Sequence, residues 1–396
     1  MKQWTSGKIR PTIIALLLIL GSTLGSVFIG EVGLQLLYRV QKGAWLWEDT
    51  AFRIGYTQPV EDRRQYSLRP LYRDEKAGLS INQLGFRETQ PQEKTDNPII
   101  VCIGDSVPFG AGVRDEETYP SYLSAALAEI GSSIGVLNAG VPSYNLRQSF
   151  DRLRKDVLTR YPPDRIVLVT VEAANDISLL SYYGSNWSSE LTWAQVRWSG
   201  SWGLTLGFKR LALFHYLSPF INLSRFEKPN VSQQVASAPS YELKRKEMLE
   251  NLRTVLRGEL SFFKGISIPV ILMPINPFYY QLSGQEKNVT LKNWKECKLF
   301  VADWDQLVKD YNDTLLKVSQ EIPDAYFLDM RTVMDSQDRN ALYLDYMHYT
   351  SEGNRLVAET LFAFLAKRRI FHRQVSFPLH MQGNFYGQGL SSRNGV

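Results

Sequence analysis

The sequence predicts an α/β protein built on a parallel sheet, with one apolar helix ahead of it. Three observations carry that expectation. From residue 98 onward, short apolar runs alternate with longer helical stretches, the pattern of successive βα units. One of those runs, IIVCIGDSVPFG (residues 99–110), is rich in β-branched residues and stops at Gly-Asp-Ser. A buried strand that ends in a tight turn at the carboxyl edge of a sheet has this form. Finally, residues 11–30 (PTIIALLLILGSTLGSVFIG) carry no charge before Glu31, and about 20 such residues cross the hydrocarbon core of a bilayer as a helix.

Taken in order, residues 1–10 are polar and hold Lys2, Lys8 and Arg10. Two readings compete for the apolar stretch that follows. A cleaved signal peptide would use residues 13–20 as its apolar region, with Gly21, Ser22, Gly25 and Ser26 after it. An uncleaved anchor would continue helically, as the amphipathic run EVGLQLLYRV suggests, and the anchor is the preferred reading. Positive residues ahead of the span place the N-terminus in the cytoplasm and the bulk of the chain outside it, although Arg39 and Lys42 follow the span. The expected organisation is a cytoplasmic stub and transmembrane anchor over 1–40, a neck over 41–97, a main domain over 98–370 and a flexible tail over 371–396. The neck contains YSLRP and LSINQLGFRE, short extended segments around a turn at Gly85. Asn82, Gly85 and Arg87 read as a turn packing the neck on the domain; alternatively, Arg87 sits on a ligand-binding rim.

Within the main domain, strands are expected at 99–104, 135–140, 165–171, 268–275 and 324–330. RIVLVTV (165–171) is apolar on both faces, as a central strand is. Helices are expected at about 118–130, 146–159, 241–263, 302–320 and 351–367. Pro162 and Pro163 stop the second, and Thr350-Ser351-Glu352 forms a capping stretch ahead of the last. An aromatic insertion at about 178–240, with Trp187, Trp193, Trp198 and Trp202, is too long for an ordinary connection. It reads either as helices packed outside the sheet or near the membrane, or as a lid along a substrate groove.

Composition narrows the function. The net charge of +5 over 396 residues forms no basic stripe, which argues against nucleic acid as a partner. Two cysteines make no disulfide framework, and Cys102 falls inside the first expected strand as a core residue. Four histidines, His215, His348, His372 and His380, show no metal-ligand spacing, so neither a metal nor an organic cofactor is expected.

The Gly-Asp-Ser turn makes Ser106 a candidate nucleophile. A serine hydroxyl is weak until a base takes its proton, and the base works best when a third group holds it in one tautomer. His348 lies in LYLDYMHYTSEG, between the last strand and the last helix, with Asp345 three residues before it. In a loop, that spacing lets the carboxylate reach Nδ1 while Nε2 faces the serine. The other histidines lie in the apolar insert or the tail. An oxyanion also requires preorganised donors. Gly140 ends the second expected strand in NAG, and Asn175 follows the third in EAANDI; with the Ser106 N–H they make three donors from three strand ends. Asp176 is expected to cap the helix that starts there.

Together, GDS with Ser106, NAG with Gly140, AND with Asn175 and Asp345-x-x-His348 resemble the four blocks of the SGNH (GDSL-type) hydrolase superfamily, in family order over about residues 98–367. The resemblance implies a flavodoxin-like three-layer α/β/α fold with a five-stranded parallel sheet. It implies Ser106 as nucleophile, His348 as base, Asp345 as its orienter, and an oxyanion hole of Ser106, Gly140 and Asn175. Two positions depart from the family pattern: Ala173 stands where a glycine is usual, and the first block reads GDSV. INQLGFR before the first block, together with a single N-terminal span, is similar to bacterial membrane-anchored members. These expectations describe an exported serine esterase acting on small acyl esters, such as O-acetyl groups on a glycan. The alternatives are an O-acyltransferase with the same triad, acting on an exported polysaccharide, and a non-catalytic binding or assembly protein that keeps the fold.

Overall fold

A computed structural model describes residues 11–42, 45, 56–89, 97–183, 187–190, 192, 211–212, 216, 239–275, 304–330, 333, 339–345 and 347–368. Outside these lie most of the aromatic insertion (including Trp193, Trp198, Trp202 and His215), the tail with His372 and His380, and Cys297. The chain divides into two units, residues 1–57 with 195–230, and residues 58–194 with 231–396.

In the first unit, one helix, α1 (Pro11–Lys42), runs through the whole apolar stretch and the amphipathic run after it. Its 29 residues from Ile13 to Gln41 rise about 43 Å, more than the ~30 Å hydrocarbon core of a bilayer. Leu16, Leu17, Leu18, Ile19 and Leu20 are all exposed, as side chains facing lipid would be. The helix is thus long and apolar enough to cross a membrane. Its first carboxylate, Glu31, accepts hydrogen bonds from Gln35 Nε2 at 2.7 Å and the Ala212 N–H at 2.6 Å. Tyr38 packs beside Ala212.

The second unit holds a five-stranded sheet of β1 (Ile99–Gly104), β2 (Gly135–Asn138), β3 (Ile166–Glu172), β4 (Val270–Leu272) and β5 (Ala325–Phe327). All four strand pairs are parallel, in the order β2-β1-β3-β4-β5. That order is flavodoxin-like, and it puts a topological switch point between β1 and β3, where such sheets form their crevices. β1 is buried along its whole length, as an all-apolar central strand requires.

Helices cover both faces. Ile100, Cys102, Leu168 and Ile271 face a layer made by α3 (Tyr119–Glu129) and α9 (Ser351–Lys367). By strand alternation, Val101, Ile103, Val169 and Val171 face the other way. There α4 (Leu146–Arg152), α5 (Asn175–Tyr183), α6 (Pro239–Gly265) and α7 (Trp304–Glu321) form the second layer, with Phe150 and Phe263 stacked at 5.9 Å. The expected cap at α9 is present, with Thr350 accepting from the Gly353 N–H, and Asn145 and Gln148 form a capping box at α4.

Two expectations need adjusting. The helix expected over 146–159 is α-helical only to Arg152 and then turns π-helical over Leu153–Val157. The wider turn falls where Arg152 and Asp156 both engage the preceding segment. β4 and β5 are shorter than expected because the edge strand pairs over only three residues, Val270↔Ala325 to Leu272↔Phe327. Residues 58–89, read as a neck, are part of the second unit. They form short extended pieces, Tyr66–Leu68, Arg73–Asp74 and Leu79–Ser80, the last two paired antiparallel. Gly85 has φ +81°, the turn conformation expected of it. Arg64 bridges Asp62 and Asp156, and the buried Arg152 donates to Ser67 Oγ and Gly85 O.

Candidate active site

Every expected site residue falls at the carboxyl edge of the sheet. β1 runs into Gly104 and Asp105, and Ser106 opens a four-residue helix, α2 (Ser106–Phe109). The turn demands glycine at 104. Its φ is +146°, and a Cβ there would sit 1.7 Å from Glu172 O of the neighbouring strand. Gly140 is required for a different reason: a Cβ would lie 2.3 Å from Phe109 N, so the loop after β2 rests on the backbone of the serine helix.

His348 and Asp345 lie in a tight loop between α8 (Arg339–Leu342) and α9. Tyr343 and Tyr349 bridge antiparallel across it, with the Leu344 N–H on His348 O at 2.8 Å and the Thr350 N–H on Leu342 O at 2.9 Å. Asp345 does two jobs. Oδ1 accepts from the Met347 and His348 N–H groups at 2.9 and 2.8 Å, and Oδ2 lies 2.7 Å from His348 Nδ1. Once Nδ1–H is donated to that carboxylate, Nε2 carries the lone pair. Nε2 is 2.7 Å from Ser106 Oγ, so the hydroxyl donates to it. The expected line Asp345–His348–Ser106 is therefore continuous. Burial pushes the Asp345 carboxyl up, but the bonds and charge of His348 and the backbone N–H groups outweigh it and hold the group below the ordinary carboxylate range.

Asp105, to which the sequence alone assigns no role, binds one of the three expected donors, the Asn175 amide. Fully buried, its Oδ1 accepts from the Val107 N–H at 3.0 Å, while Oδ2 accepts from the Ala174 N–H at 2.7 Å and Asn175 Nδ2 at 3.0 Å. This one side chain caps the serine helix and ties it to the loop after β3. Asn175 Nδ2 also lies 3.0 Å from Tyr144 O, and the Gly140 N–H donates to Asn138 Oδ1 at 3.2 Å. As the first residue of its helix, Ser106 presents an N–H that the helix cannot pair. Asp176 differs from expectation. It lies inside the first turn of α5, and its carboxylate accepts from the Leu146 N–H, capping α4 instead. Burial pushes its pKa up to about 6.

The sequence gives no sign of another buried carboxylate beside Asp105. Glu172 ends β3 with 2% exposure, and its Oε2 has no hydrogen-bond partner among the described residues. Burial first, and then the nearby Asp105 charge, push its pKa well above the ordinary range. Folded Glu172 therefore keeps its proton at pH values where the unfolded chain has lost it. By linkage, its contribution to stability falls as pH rises above the unfolded value of 4.5. Glu172→Gln should remove that dependence, flattening the fall in unfolding free energy by up to about 1.4 kcal/mol per pH unit. Denaturant unfolding at pH 5, 6.5 and 8 tests this; parallel stability profiles for the two proteins would refute it.

Arg87, also weighed as part of a ligand rim, is instead buried, its side chain 1% exposed. Among the described residues, no group of three or more His, Cys, Asp or Glu side chains converges as a metal site would.

No protein-family model matches the chain, and no curated protein does. Several solved structures are similar to part of it. An acetyl xylan esterase from Geobacillus stearothermophilus is 17% identical, over 72% of this chain and 100% of that one, with a TM-score of 0.38. The acetyl xylan esterase AlAXEase is 14% identical, over 67% and 99%, at 0.39. A lipase/acylhydrolase from Enterococcus faecalis is 15% identical, over 68% and 96%, at 0.37.

Proposed function

We propose that this chain is a serine hydrolase of ester bonds, of the SGNH type. More particularly, it is a membrane-anchored, extracytoplasmic esterase that removes small acyl groups, O-acetyl above all, from a glycan. The observation that carries the reading is the unbroken path from Asp345 through His348 to Ser106 Oγ, 2.7 Å at each step, at the mouth of a parallel sheet.

Ser106 Oγ attacks the ester carbonyl as His348 Nε2 takes its proton, and Asp345 stabilises the imidazolium that results. The carbonyl oxygen becomes an oxyanion beside the N–H groups of Ser106 and Gly140 and the amide of Asn175. To bond Asn175 it must share or displace the Tyr144 carbonyl. His348 then protonates the leaving alcohol, and water repeats the sequence to free the acid. No step calls for a metal or an organic cofactor. The small acyl group and the glycan rest on the resemblance of the four sequence blocks.

The same acyl-enzyme can pass its acyl group to a sugar hydroxyl instead of water, which is the transferase alternative. A protein kept only for binding has no use for a nucleophile, a base and an orienter in line. Purified full chain is incubated with an acetylated glycan, and separately with an acetyl donor plus unmodified glycan. Acetate released from the first mixture supports the esterase. Acetylated product in the second selects the transferase, and neither product from wild type refutes both.

Lys2, Lys8 and Arg10 ahead of α1 favour a cytoplasmic N-terminus and an exported second unit. A reporter active only outside the cytoplasm, fused after Val40, should be active; an inactive reporter in a stable fusion reverses the orientation.

A further inference from the structure

Residues 58–89 precede the strand that carries the serine and contain none of the four blocks. Their side chains nevertheless reach the backbone of two of them. Asn82 Oδ1 accepts from the Leu84 and Phe86 N–H groups, and this turn delivers Arg87 to a backbone bridge with Asn138, at the end of β2. From there the guanidinium reaches the far end of the serine helix. Nη1 donates to Phe109 O at 2.7 Å and Gly110 O at 2.6 Å, Nη2 to Val113 O at 2.7 Å, and Nε to Asp115 Oδ1 at 2.8 Å. The Arg87 guanidinium also lies 4.9 Å from the centre of the Phe109 ring. A second link runs to the loop after β2: Tyr66 Oη donates to Pro142 O, and Tyr144 Oη donates to Tyr66 O. Tyr144 is the residue whose carbonyl accepts from Asn175.

A helix of four residues has no stability of its own; Ser106 O and Val107 O accept from the Gly110 N–H just beyond it, and Phe109 O, at its end, accepts from the Arg87 side chain. Its direction is set by what holds its two ends. Asp105 holds the first. We infer that Arg87 holds the second and is a positioning residue for Ser106, so that residues 66–87 are a working part of the active site and not a spacer. The inference rests on the reading of Ser106 as nucleophile. The chemistry favours arginine over any other residue type. Three carbonyls and a carboxylate lie around one planar fork, which the single ammonium of lysine cannot match.

The test uses the full chain as wild type, Arg87→Lys, Arg87→Met and Ser106→Ala. Each is measured for thermal unfolding, for kcat and KM on p-nitrophenyl acetate, and for the rate of labelling by a fluorophosphonate, a probe of nucleophilic serine. Arg87→Lys should fold, with kcat down about 10- to 100-fold, KM within about threefold, and labelling slowed in proportion, as misplacement of a reacting atom by a fraction of an ångström predicts. Arg87→Met should lose at least as much where it folds. Folded Arg87→Lys with kcat and labelling within twofold of wild type overturns the inference. Failure of both variants to fold also overturns it, since Arg87 then serves stability alone. An unlabelled wild type, or a Ser106→Ala chain labelled as fast as wild type, overturns the nucleophile reading itself, and this control tells the two failures apart.

Discussion

Ser106→Ala should lower ester hydrolysis by about 10⁴- to 10⁶-fold while leaving the protein folded. On the proposed mechanism the hydroxyl forms the acyl-enzyme, and in the variant His348 Nε2, 2.7 Å from Oγ, would face a methyl group. Losing one hydrogen bond at a largely buried site costs about 1 kcal/mol of stability, so the thermal midpoint should move by only a few degrees. Asp345→Asn separates the parts of the triad. An asparagine oxygen can still accept from the Met347 and His348 N–H groups, so the loop keeps its shape. Its amide nitrogen, however, would face His348 Nδ1, pushing the ring proton to Nε2 and against the serine. The loss should be about 10³- to 10⁴-fold in kcat with little change in KM. Because Asp345 is held below the ordinary carboxylate range, it stays ionised through neutral and mildly acidic pH, so its protonation does not set an acid limb there. Retention of more than a tenth of wild-type kcat by Ser106→Ala would remove the nucleophile assignment.

Gly104→Ala should be strongly destabilising. The added Cβ would lie 1.7 Å from Glu172 O, 2.7 Å from Glu172 C and 2.8 Å from Pro108 Cγ, on a backbone with φ +146°. Two of those three atoms are backbone, so no side-chain rotation relieves the clash. Relief requires breaking the Asp105 N–H bond to Glu172 O and opening the Gly104↔Glu172 pairing of the two central strands. The loss should exceed about 4 kcal/mol, enough to empty the native state of a protein of ordinary stability. Gly131→Ala is the control: φ there is +71°, but no atom lies within 4 Å of the new Cβ. It should cost about 1 kcal/mol in backbone strain alone. Soluble yield and thermal midpoint distinguish the two, and a folded Gly104→Ala with a near-normal midpoint would contradict the steric account.

The parts of this site that sequence made visible are those whose chemistry is local. A β-branched run broken by Gly-Asp-Ser, an Asp three residues before a His, and an Asn just past a central strand each announce themselves within a dozen residues. So do the limits of α9, fixed by the Thr350 cap at one end and the end of the apolar stripe at the other. What stayed hidden was long-range. Asp105 gains its role from Asn175, 70 residues away, and Arg87 from carbonyls 22 to 26 residues on. A charged side chain in a polar stretch gives no sign of which backbone it will cap. Glu172 was missed for the opposite reason: at the end of an apolar run a glutamate looks like the strand's exit into water, yet here it stays 98% buried. The π turn after Arg152 left no mark because a side-chain period barely changes over five residues.

The offset of 242 positions from Ser106 to His348 has a consequence for biosynthesis. A ribosome adding about 5 to 20 residues per second needs on the order of ten to fifty seconds to go from one to the other. During that interval the nascent chain carries an inert alcohol, because neither the imidazole nor its carboxylate yet exists. On the proposed mechanism, reactivity appears only when the last loop and α9 close onto the sheet. On that mechanism, a chain that stalls or is clipped before that point lacks both the base and its orienter.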